Sequence, residues 1–132
     1  MAETSVAFEV VSSLSFAEAV ARVRAALAGE GFGVLTEIDV QATMKAKLGV
    51  EREPYLILGA CHPPSAHRAL SAAPEVGVLL PCNVTVSIEE GRTVVRAMNP
   101  TAVLGIVGRP ELQSVGEDVA AALHRVLEAC QK

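Results

Sequence analysis

Tyr55-Leu56-Ile57-Leu58-Gly59-Ala60-Cys61-His62-Pro63-Pro64 is the stretch whose reading decides the fold. Its first seven residues carry no charge and are apolar at both alternating positions. That is the pattern of a strand covered from both sides, so it is expected near the centre of a sheet. His62-Pro63-Pro64-Ser65 then stops the strand and opens a helix, because proline is tolerated in a first helical turn, where its missing N–H costs nothing. Ala66, Ala69, Leu70 and Ala73 form the buried face of that helix, and Pro74 closes it. The chain returns over residues 76–88 as one long strand. Pro81 falls inside it and cannot donate to a central ladder, which predicts a bulge or bend there.

Upstream, Val6, Phe8 and Val10 mark a first strand. Ser15 and Glu18 then have the spacing of a reciprocal helix cap. Phe16, Val20, Val23 and Leu27 lie on one helical face, and Gly29 and Gly31 end the helix. Residues 32–38 read as a second strand. Asp39 caps a short helix with Val40, Met44 and Leu48 on one side. Downstream, Glu89-Glu90-Gly91 is expected to be a three-residue hairpin loop leading to a fifth strand, Arg92–Met98. Residues 101–108 make a short helical turn. Residues 110–131 form the last helix, with Val115, Val119, Ala122, Val126 and Cys130 in one stripe beside Leu123 and Leu127. This order predicts an α+β fold, β-α-β4-α, in one domain spanning residues 1–132. The five-stranded antiparallel sheet would carry the long helices on one face, with short helices inserted between strands two, three and four.

Composition narrows the function. The chain is 51% hydrophobic with only 3% aromatics, so its core must be aliphatic. At 132 residues it can bury roughly 68% of its unfolded surface, enough for a self-sufficient core. Net charge is −4 and the basic residues are scattered, which argues against a nucleic-acid surface or a polybasic membrane patch. No apolar run approaches the roughly 18 residues of a membrane span, and the first residues do not read as a signal peptide. The expected location is the cytoplasm. Three cysteines, an odd number, do not suggest a disulfide framework.

The run Tyr55–Cys61 with His62-Pro63, then Ala69-Leu70, then Gly77-Val78-Leu79-Leu80-Pro81-Cys82-Asn83-Val84, resembles the core signature of the bacterial and archaeal family called domain of unknown function 302. Val34-Leu35-Thr36-Glu37-Ile38-Asp39-Val40 and Met44-Lys45 are similar too. The resemblance covers effectively the whole chain. It implies a TATA-binding-protein-like β-α-β4-α fold and a homodimer, and it brings no established activity. His62 departs from it, standing where Asn is common, so the resemblance carries no histidine-dependent mechanism. It brings no DNA binding either, because fold does not fix function.

The best constellation for chemistry is Cys61, His62 and Cys82, with Asn83 beside them. If the third and fourth strands are antiparallel neighbours, the thiols approach each other. They would then form a reversible disulfide, or with His62 a soft-metal site for Zn or Cu(I). Against this stands the ordinary behaviour of cysteine as a small buried hydrophobe. No catalytic residue is assigned. There is no phosphate-binding glycine loop, no nucleophile elbow and no zinc-binding H-E-x-x-H, so nothing requires an enzyme and nothing rules one out. Arg96 could meet a ligand anion, and Asn83 and Asn99 could add polar contacts, though turn hydrogen bonding explains both asparagines. The leading expectation is a small-molecule binding or protein-interaction module acting as a homodimer. The alternative is a thiol-based redox or soft-metal protein using Cys61 and Cys82. The cofactor, if any, is open.

Overall fold

The structure, a computed structural model, describes residues 1–132. The sheet strands are β1 (Ala2–Glu3), β2 (Ala7–Ser12), β3 (Gly33–Asp39), β4 (Tyr55–Cys61), β5 (Cys82–Glu89) and β6 (Arg92–Met98). The helices are α1 (Phe16–Gly29), α2 (Val40–Leu48), α3 (Pro63–Ala72), α4 (Pro100–Gly105) and α5 (Glu111–Ala129). The sheet has six antiparallel strands in the order β1-β2-β6-β5-β4-β3. The fold is therefore α+β, with one strand more than expected. The extra strand is β1, whose two exposed residues pair with Phe8 and Glu9.

α1 is capped as its sequence dictates. Ser15 Oγ accepts from Glu18 N–H at 3.2 Å and Glu18 Oε1 accepts from Ser15 N–H at 2.9 Å. α1 and α5 cover one face of the sheet. Phe8 and Val10 of β2, Leu56, Leu58 and Ala60 of β4, Val84 and Val86 of β5, and Val95 and Ala97 of β6 meet Ala19, Val23 and Leu27 of α1 and the apolar stripe of α5 in one core. Residues 115, 119, 122, 123, 126, 127 and 130 are all buried. A bidentate pair joins Arg125 of α5 to Glu30 at the end of α1. Arg22 of α1 donates to the carbonyls of Ala129 and Lys132.

Three local expectations change. Residues 74–79 form a 3₁₀ helix, so β5 begins only at Cys82 and Pro81 precedes the strand. Val76 points into the core while Val78 is 89% exposed. The β5–β6 hairpin loop has two residues, Glu90 and Gly91, both at positive φ, because Glu89 pairs with Arg92. β4 is interior, between β5 and β3, but the middle of the sheet is β5 and β6.

β3 is a free edge and carries a β-bulge. Val34 pairs with Ala60 and Thr36 with Gly59, which leaves Leu35 as the extra residue. A bulge re-aims a side chain, and Leu35 turns toward the mouth of the cavity described next.

Candidate functional site

Where β4 ends and β5 begins, the chain places small side chains in a ring. Ala60 and Cys61 end β4, Cys82 starts β5, and Ser65, Ala66 and Ala69 are on the inner side of α3. Leu104 of α4 and Val115 and Val119 of α5 close the back. α4 lies tight on α5 because Gly116 has no side chain; a Cβ there would sit 3.4 Å from Pro100 O. Small residues on three elements and larger ones behind leave an apolar cavity of about 330 Å³. That volume is in the range of small-molecule pockets.

The polar corner of this cavity is His62 with Ser65. His62 Nδ1 lies 2.7 Å from Ser65 Oγ. His62 is the N-cap of α3 but caps no backbone N–H. Its ring is held by Phe32, centroid to centroid 5.4 Å, and by the bare backbone of Gly31. Pro63 and Pro64 lack amide hydrogens, and Ala66 N–H donates to His62 O at 2.9 Å. Ser65 is buried, 5% exposed.

Cys61 and Cys82 both line the cavity, Cys61 half-buried and Cys82 buried, and both are free thiols. Burial pushes the Cys82 thiol up to about 11, with Cys61 adding to the shift. A thiol so placed is a poor nucleophile at neutral pH. No group of three His, Cys, Asp or Glu side chains is placed to hold a metal ion.

Of the four residues singled out in the sequence, the fold therefore brings Cys61, His62 and Cys82 into the lining of one cavity, with Ala60 rather than Cys61 as the cross-strand partner of Cys82. Asn83 is exposed and alternates to the opposite sheet face. Asn99 is buried and caps α4, its Oδ1 accepting from Thr101 N–H at 3.1 Å. Arg96 is also on the opposite face, where Glu9 and Glu89 take its guanidinium at 2.5 Å each. Its charge is paired within the chain, and it does not line the cavity. The sequence reading missed Ser65 as a site residue. The available signal was its position three residues after His62, which in a helix brings two side chains together.

The family described as Domain of unknown function DUF302 matches residues 8–130. This chain belongs to that family. It is similar to the crystal structure of an uncharacterized conserved protein DUF302 from Bacillus stearothermophilus, with 32% identity over 94% of this chain and 97% of that one. The TM-score is 0.89, so the DUF302 fold is shared over nearly its whole length. No curated protein matches the chain. No helix is long and apolar enough to cross a membrane. DUF302 membership thus accounts for the architecture, and function must be argued from the site.

Proposed function

We propose that this protein is a cytoplasmic small-molecule binding module that acts as a homodimer, with its ligand in the cavity between α3 and the β4–β5 end of the sheet. The observation that carries the reading is the cavity itself: about 330 Å³, mostly apolar, with one hydrogen-bonding corner at His62 and Ser65. Pockets of this kind, largely apolar with a few convergent polar groups, are the usual form of a ligand site. Self-association is supported by α2, whose Val40, Met44 and Leu48 share a side although the helix buries none of its residues.

Native mass spectrometry of protein purified without chelators tests both parts. The expected spectrum is a dimer carrying an organic mass, lost in Ala66→Phe, which fills the cavity from α3. A bare chain that does not change with Ala66→Phe sinks the binding reading. A monomer at micromolar concentration sinks the dimer.

That Cys61 and Cys82 both line the cavity favours a second reading, reversible thiol oxidation. The two thiols would join as a disulfide, giving two protons and two electrons to a peroxide, which leaves as two waters, or as one alcohol and one water. Peptide mapping after mild peroxide treatment decides it: without a Cys61–Cys82 cross-link this reading fails. A soft-metal form has less support, since no third ligand joins the thiols.

A further inference from the structure

We infer that the cavity takes a small uncharged amphiphile: an aliphatic chain with one neutral head group, an alcohol or a carbonyl, hydrogen-bonded at Ser65. The inference rests on the ligand-binding reading above and narrows it to a chemical class.

Size comes first. A volume of about 330 Å³ is at the lower end of the range of small-molecule pockets, so the ligand is small. Charge comes second. No Asp, Glu, Lys or Arg lines the cavity. A carboxylate or phosphate inside would find no permanent counter-charge, and an unpaired charge in an apolar site is strongly disfavoured. His62 is the one lining residue able to become a cation, and its Nδ1 is already engaged with Ser65. Arg96, the half-buried guanidinium, is on the other sheet face and neutralised by two carboxylates.

The head group comes third. A hydroxyl offers one donor and two acceptor sites. Ser65 Oγ uses one of them on His62. If Nδ1 accepts, Oγ keeps lone pairs for a ligand hydroxyl; if Nδ1 donates, the Oγ–H turns to a ligand carbonyl. Either tautomer serves a neutral head, and neither offers the two or more donors that a carboxylate needs. The entrance agrees with this selection. Leu35, turned by the β3 bulge, and Leu70 are exposed at the mouth, and Val78 stands next to lining Gly77. A chain passing that rim keeps its methylenes against apolar surface.

The test is an NMR titration at pH 8 of the full-length protein with 1-octanol, 2-octanone, octanoate and toluene. Octanol and octanone should shift the amides of Ala60, Ser65, Ala69 and Cys82. Octanoate should bind at least about a hundredfold more weakly, from the cost of an unpaired charge. Ser65→Ala should weaken octanol about three- to tenfold, the size of one neutral hydrogen bond, and leave toluene unchanged. Toluene binding to Ser65→Ala also shows that the variant keeps its cavity. Octanoate binding as tightly as octanol, or octanol indifferent to Ser65→Ala, overturns the inference while toluene binding keeps the pocket reading. Failure of all four probes, toluene included, removes the pocket reading itself.

Discussion

A Cβ built on Gly59 would lie 2.1 Å from Thr36 Oγ1 and 2.8 Å from Pro81 Cγ. That one absent carbon lets Thr36 of β3 and Pro81, in the turn before β5, close over β4. Gly59→Ala should destabilise the fold by about 1–3 kcal/mol, the usual cost of overpacking, measured by urea denaturation. Adding Thr36→Ala should recover part of the loss but not all, because Pro81 remains in the way; strict additivity would show that the strands part freely. The thiols differ for a similarly local reason. Cys61 is half-buried, whereas burial raises both Cys82 and Cys130 to about 11. Alkylation of the native protein at pH 7.5, followed by mass spectrometry, should modify Cys61 first, with Cys82 and Cys130 reacting only as the chain unfolds. Equal rates at all three would mean that the core as a whole opens readily. At this scale the sequence was half legible. Adjacent residues such as Cys61 and His62 are seen together at once. Ser65 acquires meaning only when α3 turns it back onto His62.

Arg96 of β6 reaches Glu9 of β2 on one side and Glu89 of β5 on the other, so one guanidinium ties three strands on the face away from α1 and α5. Arg96, and after it Ser87, holds the Glu89 carboxyl down at about 2. The unfolded carboxyl titrates near 4.5. At neutral pH both states are ionised and the full contribution of the clamp is present. As pH falls below 4.5 the unfolded state takes up a proton first, and the contribution is gone once pH passes about 2. Glu89 is partly exposed, so solvent screening keeps the effect to roughly 1 kcal/mol. Glu89→Gln should therefore lower the melting temperature at pH 7 and show a flatter decline between pH 4.5 and 2 than the parent; parallel acid curves would refute the clamp. Elements were legible where side-chain period and burial agree. The α5 stripe is an example. Residues 76–80 mislead because Val76, Val78 and Leu80 alternate as a strand would, while Pro74 starts a 3₁₀ turn that leaves Val78 in water. β1 leaves no trace in the pattern, since it is held by backbone pairing alone and buries no side chain.

Across the whole molecule the two sheet faces have different characters. One is sealed by α1 and α5. The other has a polar centre, Glu9, Arg96, Glu89 and Ser87, whose charges are satisfied within the chain. Its flanks are apolar and open: Val11 is 47% exposed on the β2 side and Ile38 47% on the β3 side. At the far end of α2, which follows Ile38 and Asp39, Leu48 is 69% exposed, and Val50 follows at 47%. A stable interface needs about 800 Å² from each partner, more than isolated residues supply. Ile38 lies on the unpaired β3 edge, where the sheet still has hydrogen bonds to give, and α2, which follows it directly, buries none of its residues. The proposed dimer should therefore form there. Leu48→Glu should weaken association at least about tenfold by desolvating a charge at the contact, read by light scattering across a dilution series. Val78→Glu, at the cavity rim and even more exposed, should leave association unchanged. The reverse result would place the partner over the cavity mouth, where a second copy would close the ligand site.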